Sequence, residues 1–253
     1  MFLLRGRRRR RLLETPLTAA QRRTLLAAVP LCASLPVDLR ARHEGVVQVL
    51  LAEKHYEAAG DLVLDETMPL AIAGQAALLQ LRSGAEYYPG LETILIYPEA
   101  FHVELSEPDE HGFVHEGSDE RAGESWQRGV VVVSWQDAAQ EAARRDGYNV
   151  VLHEFAHQLD DLTGEADGTP HLPTAELGER WRDAFQTAFE RHQRSLRRRR
   201  ELLFDEDAGE SPSEFFATAV ELFFELPRDL KKGFPAVHAV LAEYFELDPA
   251  AWT

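Results

Sequence analysis

One apolar segment carries the ionisable residues that most restrict what this chain can fold into. The motif His-Glu-Phe-Ala-His at residues 153–157 lies inside the run 150–159, whose other members are mostly apolar. On an α-helix, His153 and His157 lie one turn apart on the same face, so both imidazoles reach one tetrahedral ion. Burying two imidazoles and a carboxylate is costly without a compensating partner, which a metal ion supplies. The segment therefore predicts a zinc-binding helix with Glu154 as general base.

The alternative is that these are ordinary helix histidines beside a solvated glutamate, and a third ligand is needed to separate the two interpretations. A catalytic zinc usually has three protein ligands and one position open for water. Several carboxylates and three histidines follow the motif, namely His171, His192 and His238. Glu214 is favoured, because it begins a second apolar helix in which an unpartnered carboxylate would be costly. Its alternative role is to cap that helix.

Hydrophobic periodicity divides the chain into a helical first third and a mixed remainder. It predicts two or three helices over 18–59, helices over 65–81 and 174–203, strands at 92–97 and 129–135, and a long acidic loop or loose hairpin over 106–125. Asn149 is predicted to cap the motif helix, and Ser211 to cap the helix of Glu214. The expected fold class is α+β, with N-terminal helices against a small mixed sheet and the two site helices packed over it.

The charge pattern separates a short N-terminal segment from the rest. Residues 1–11 contain the arginine run 7–11 and are predicted to be a basic N-terminal tail that is solvated or begins a helix. Residues 12–253 are predicted to form a single domain, whose N-terminal part, about 12–85, is helical.

Composition limits the partners and the compartment. A formal net charge of −16 repels nucleic acid phosphates and anionic lipid at long range, so neither nucleic acid nor a membrane is an expected partner. Cys32 is the single cysteine, which excludes an intramolecular disulfide and a cysteine-rich zinc site. The sequence has no recognisable export signal and no apolar run of the ~20 residues that a membrane span needs. We therefore expect a soluble, cytoplasmic protein.

Two site motifs and several supporting segments make the chain resemble a known family. The site motifs are His153–Asp160 and Ser211–Ala217. The supporting segments are Glu53-Lys54, Ile72–Leu79, Thr93–Pro98 and Val130–Trp135. Over roughly residues 12 to 250, the chain resembles the Mlc titration factor A family of bacterial zinc peptidases, whose core is similar to the anthrax lethal factor catalytic domain.

This resemblance implies a zincin-like metallopeptidase core and a complete site. It makes one zinc ion per chain the cofactor, with the ligands His153, His157 and Glu214 and the base Glu154. It also suggests supporting roles for Asp160, one turn beyond the motif, and for Glu221, two turns beyond Glu214. The alternative for each of these two carboxylates is a surface or capping charge.

One position departs from the family pattern. Asp207 stands where the family usually carries a tyrosine, seven residues before the ligand glutamate. A tyrosine hydroxyl there would stabilise the oxyanion of the tetrahedral intermediate, whereas a carboxylate would repel it, so we expect weaker catalysis. Tyr148, just before the motif helix, or a backbone amide is the alternative donor.

Two functions follow from these observations. The first is zinc-dependent hydrolysis of a peptide or protein substrate, with aminopeptidase and endopeptidase action both open. The second, which the resemblance alone implies, is a non-catalytic or weakly catalytic protein that sequesters a transcription repressor of the Mlc type and so controls sugar uptake.

Overall fold

The computed structural model describes residues 2–99, 101–104, 118–121, 129–199 and 202–252. The α-helices in these ranges are α1 (Phe2–Leu13), α2 (Ala19–Ala28), α3 (Val37–Glu53), α4 (Thr67–Leu78), α5 (Trp135–Arg144), α6 (Val150–Asp160), α7 (Ala175–Arg197), α8 (Pro212–Glu225), α9 (Pro227–Gly233) and α10 (Pro235–Phe245). The strands are β1 (His55–Ala58), β2 (Thr93–Tyr97), β3 (Phe101–Glu104), β4 (Ser118–Arg121) and β5 (Val130–Ser134). The predicted α+β class is confirmed.

Three strands form a small sheet in the order β1-β2-β5, and both of its pairings are parallel. Helix α4 carries the chain from the end of β1 back to the start of β2, which makes this pair parallel. Strands β3 and β4 pair antiparallel in a separate two-stranded sheet. The prediction of one mixed sheet is therefore wrong for the described strands.

Helix α6 is enclosed on several sides, which fixes the direction in which its polar side chains point. It packs against α8, α4 and β5. Val151, Leu152 and Phe155 are fully buried, and the Phe155 ring meets the Tyr88 ring edge-on with centroids 4.8 Å apart. With its apolar side chains in the core, α6 presents its histidines towards α8.

Aromatic packing holds α8 in place from the other side. The Trp181 ring of α7 stacks on Phe185 with centroids 4.5 Å apart and contacts the rings of Phe216 on α8 and Tyr244 on α10. Trp181 and Phe216 are almost completely buried. Such dense packing leaves α8 little freedom to move relative to α7 and α10.

The N-terminal arginine run lies in a helix that contacts the body of the protein. Helix α1 packs against α3, and the Arg9 guanidinium pairs with the Glu53 carboxylate, with Nη2 and Oε2 2.7 Å apart. The residues predicted as a basic tail are thus part of α1, and the proposed domain division at residue 12 stays a prediction. Within the described ranges, every helix is too short or too polar to cross a bilayer.

Most of the predicted elements are present, with shorter ends. The predicted strands correspond to β2 and β5, and the predicted helices over 65–81 and 174–203 correspond to α4 and α7. Of the acidic segment 106–125, only 118–121 is described, as strand β4. The rest of that prediction lies outside the described residues.

Candidate metal centre

Three side chains from α6 and α8 converge on one point. His153 Nε2 lies 3.1 Å from His157 Nε2 and 3.1 Å from Glu214 Oε2. His157 Nε2 lies 3.4 Å from Glu214 Oε1. When metal–nitrogen bonds are about 2.0–2.1 Å long, tetrahedral ligand atoms lie about 3.3 Å from one another. The measured separations fit that geometry, and in the described part of the chain no other such group of three ligating side chains occurs.

Local helix chemistry sets the position of the two histidines. The Asn149 side chain caps α6 by accepting a hydrogen bond from the Leu152 N–H at 3.0 Å, as predicted. The cap fixes the first turn of the helix, from which His153 projects. His157 follows one turn later, and the two imidazole rings meet edge-on with centroids 4.8 Å apart.

Glu214 enters from the first turn of α8. Ser211 caps this helix, accepting the Glu214 N–H at 3.1 Å, and Pro212 occupies its first position, as predicted. Because Ser211 does the capping, the Glu214 side chain is free to turn towards the histidines. Its carboxylate is 32% exposed, so the site is open to solvent on this side.

Glu221 holds His153 from the side away from Glu214. Its Oε1 accepts a hydrogen bond from His153 Nδ1 at 2.8 Å, and its Oε2 accepts one from the Asn149 N–H. The Glu221 side chain is only 6% exposed. Because a carboxylate accepts hydrogen bonds, a neutral His153 carries its proton on Nδ1 and keeps the lone pair of Nε2 for a metal ion.

Asp160 reaches His157 only through a serine. The Asp160 carboxylate accepts the N–H groups of Gly168 and Thr169, each at 2.8 Å, and the hydroxyl of Ser213, also at 2.8 Å. The Ser213 oxygen lies 3.2 Å from His157 Nδ1. Because the serine proton is given to Asp160, the oxygen accepts the Nδ1 hydrogen of His157. The Nε2 atom of His157 therefore also carries a lone pair.

In the neutral tautomers that these networks favour, the two Nε2 lone pairs and the Glu214 carboxylate face one another. The repulsion between these acceptors is offset by a cation at their centre, either a proton shared between His153 and Glu214 or a metal ion. Two imidazole nitrogens and one carboxylate form the ligand set of one common type of catalytic zinc site. The donors present thus fit a metal ion.

Burial and mutual charge shift the ionisation of these groups. Burial acts to lower the pKa of His153, but its hydrogen bonds with Glu214 and Glu221 raise that pKa well above the usual value. Burial acts to raise the pKa of Glu214, but hydrogen bonds with His153 and His157 hold it well below the usual range. Burial raises the pKa of Glu154, which makes its carboxylate a stronger base.

The other candidate ligands lie elsewhere. His171 is exposed in the segment before α7, and His192 is buried against the rings of Phe204 and Phe215. His238 on α10 lies 3.3 Å from the Asp248 carboxylate. None of the three histidines belongs to the group formed by the predicted ligands.

Asp207 begins a short 3-10 helix, Asp207–Gly209, and Tyr148 precedes α6 with 53% of its surface exposed. Burial raises the pKa of Tyr148, as do the charges of nearby carboxylates, Glu221 and Asp207 among them. A phenol therefore lies in the vicinity of the site. The weaker catalysis expected from Asp207 stays a prediction.

Sequence reasoning missed three polar residues of these networks. In the sequence, Ser213 is marked only as part of the motif around Glu214. Glu225 accepts the Asn149 side-chain N–H at 3.1 Å, and Glu141 accepts the Val150 N–H at 2.6 Å. Glu225 lies four residues after Glu221 in an apolar helix, so helical spacing puts both carboxylates on one face and could have revealed it.

The helix-borne His-Glu-x-x-His arrangement with a glutamate from a second helix defines a metallopeptidase-like class of site. Residues 4–246 match the family described as glucose-regulated metallo-peptidase M90, and the chain belongs to this family. An uncharacterised protein of Synechocystis sp. is 36% identical over 246 residues, covering 96% of this chain and 89% of the relative.

Relatives named Mlc titration factor A confirm the resemblance drawn from the motifs. The one from Serratia proteamaculans is 34% identical and covers 88% of this chain and 86% of its own length. The one from Yersinia pestis is 31% identical and covers 88% of this chain and 83% of its own length.

Proposed function

We propose that the protein is a zinc-dependent peptidase in which His153, His157 and Glu214 bind the metal and Glu154 is the general base. The observation that carries this proposal is the convergence of His153 Nε2, His157 Nε2 and the Glu214 carboxylate, whose atoms lie 3.1–3.4 Å apart. That arrangement suits a cation, and its donor set suits zinc. Membership of a metallopeptidase family supports the same class of reaction.

The residues divide the chemical work between them. Bound zinc supplies a Lewis acid for the scissile carbonyl and lowers the pKa of water at the open position. Glu154, raised in pKa by burial, takes a proton from the attacking water and later gives it to the leaving amine. Glu221 and Ser213 keep both imidazoles in the tautomer whose Nε2 is available to the metal.

A sheet edge beside α6 is the proposed binding position for an extended peptide. In the described residues, β5 pairs on one side only, with β2, and it packs against α6. A peptide that added to β5 through main-chain hydrogen bonds would run close to the metal centre. The alternative is that β5 serves only the core, since Val131 to Val133 are buried.

The central test compares Glu154→Gln with wild type. The amide has nearly the shape of the carboxylate but accepts no proton, so we expect one zinc per chain in both proteins and a loss of peptide hydrolysis of about 100-fold or more in the variant. Metal content would be measured by mass spectrometry and turnover on a fluorogenic peptide library.

Two further variants frame that result. Glu176→Gln, at an exposed position of α7, should keep both zinc and activity, and Glu214→Ala should lose zinc. Unchanged turnover in Glu154→Gln, or wild-type protein without stoichiometric zinc, would refute the proposal.

A second function rests on the names of the relatives, Mlc titration factor A. We propose as the alternative that the protein binds a transcription repressor of the Mlc type in the cytoplasm. The single cysteine, Cys32, is buried and free, which suits that compartment. A pull-down of the repressor with Glu154→Gln separates the two functions. If the variant still binds the repressor but hydrolyses no peptide, the interaction does not depend on catalysis.

A further inference from the structure

The two metal-facing histidines are supported in different ways. His153 donates its Nδ1 hydrogen directly to a buried carboxylate, that of Glu221. His157 Nδ1 lies 3.2 Å from a neutral hydroxyl, that of Ser213, which in turn donates to Asp160. A hydroxyl placed between an imidazole and a carboxylate must be held in one orientation to serve both, since it has a single proton.

Asp160 supplies that orientation. It is completely buried, and its two oxygens already accept the N–H groups of Gly168 and Thr169 at 2.8 Å. The third hydrogen bond, from Ser213, completes the acceptor set and leaves the serine oxygen to face His157. The direction of the Ser213 hydroxyl is therefore fixed by a carboxylate that is itself fixed by backbone.

The backbone that anchors Asp160 belongs to the segment 161–169, which is otherwise largely exposed. Gly168 passes so close to α8 that a Cβ atom there would lie 2.4 Å from the Pro212 carbonyl oxygen. Its own carbonyl accepts the indole N–H of Trp181 at 3.0 Å. The end of α6, the segment 161–169 and the first turn of α8 thus meet around one pair of side chains, Asp160 and Ser213.

We propose that Ser213 is a positioning residue that sets the tautomer and orientation of His157 and couples metal binding there to the order of the segment 161–169. The inference rests on the proposed zinc site. The first turn of α8 then has two roles, since Glu214 ligates the metal and its neighbour Ser213 orients another ligand, His157. Removing the hydroxyl should loosen His157 without changing any ligand atom.

The test measures zinc affinity by competition with a fluorescent chelator in full-length protein. Ser213→Ala should bind zinc about 10–100-fold more weakly than wild type. Ser213→Thr, which keeps the hydroxyl, should recover affinity to within about threefold of wild type. Thr18→Ala is the matched control, because it removes a hydroxyl cap from α2 and leaves every hydrogen bond of the site intact, so its zinc affinity should equal that of wild type.

Hydrogen exchange of the Gly168 and Thr169 amides gives a second readout. Both amides should be protected in zinc-loaded wild type, and exchange at least about tenfold faster after chelation or in Ser213→Ala. If Ser213→Ala does not fold, the imidazole nitrogen resonances of zinc-loaded wild type still decide, since the proposal requires a proton on Nδ1 of His157.

The outcomes separate this inference from the proposed function. Wild-type protein that takes up no zinc would overturn the proposed function. Zinc in wild type, together with unchanged affinity and unchanged amide exchange in Ser213→Ala, or coordination of His157 through Nδ1, would overturn the role of Ser213 alone.

Discussion

The two ends of helix α6 support the same kind of ligand by different means. At the N-terminal end, His153 is held by Glu221, a side chain from the interior of α8, in direct contact. At the C-terminal end, His157 is held through Ser213 and Asp160, which depend on backbone amides of the segment 161–169. Helix-to-helix contacts in a core open at higher free energy than contacts made by surface segments. The C-terminal end should therefore be the more easily disturbed from outside the helix.

The largest effect is expected when the C-terminal end is broken at Gly168. Its φ of +81° and its contact with the Pro212 carbonyl both disfavour a side chain, so Gly168→Ala should lower the free energy of unfolding by about 4 kcal/mol. Urea denaturation followed by circular dichroism measures this loss.

Gly164→Ala is the matched control for that experiment. Gly164 has the same φ of +81°, but a Cβ atom there has no neighbour within 4 Å, so only the backbone strain of about 1 kcal/mol applies. Equal losses in the two variants would contradict the role of the close approach to α8.

An intermediate effect is expected when the N-terminal end is altered at Glu221. In Glu221→Gln, an NH2 group replaces one side-chain oxygen. The side chain can then no longer accept hydrogen bonds from both His153 Nδ1 and the Asn149 N–H. Zinc affinity should fall about 10–100-fold, measured by chelator competition. Glu243→Gln, which removes an exposed ion pair with Arg180, should leave it unchanged. If Glu221→Gln bound zinc as tightly as wild type, the hydrogen bond from His153 to a carboxylate would not be needed for zinc binding.

An effect that depends on pH concerns Glu225, at the edge of the N-terminal network. Burial raises the pKa of Glu225 to about 7, while the Asn149 side chain and Arg145 act to lower it and Glu221 and Asp146 to raise it. The unfolded chain, with a pKa of about 4.3, loses this proton first as pH rises. The folded state then holds more protons than the unfolded state, so stability falls as pH rises from about 4 to about 7 and levels off above that range.

Glu225→Gln removes the cost of that ionisation. The variant should be more stable than wild type by about 3–4 kcal/mol at pH 8 and equally stable at pH 4, in urea denaturation at both values. Glu210→Gln, at an exposed position, should follow wild type at each pH. A variant less stable than wild type at pH 8 would show that the charged form of Glu225 is needed by Asn149.

Sequence reasoning reached the two histidines of the candidate metal centre because their spacing is local. His153 and His157 are four residues apart, and the caps Asn149 and Ser211 follow from neighbouring residues. It missed strand β1, which has only four residues and follows α3 after a single residue, because so short a segment carries no clear period. The sheet was predicted as mixed because strand direction depends on the path of the connections, which hydrophobic pattern does not encode.

The supporting network was only partly predictable for a similar reason. Supporting roles for Glu221 and Asp160 were implied by the family resemblance. Ser213 has no such signal, since a serine in a first helical turn is common and its importance arises only when Asp160 and His157 are brought to it. Pairing across helices far apart in the chain is a property of the folded state alone.

The long separation between the two halves of the site has a consequence for synthesis. His153 meets Glu214 and Glu221 across 61 and 68 residues of sequence, so a growing chain that has passed the histidine motif still lacks one proposed ligand and the carboxylate that supports His153. A polypeptide terminated before α8 therefore cannot assemble the centre, however well its earlier helices form. Under the proposed function, translation products that end before α8 would therefore lack peptidase activity.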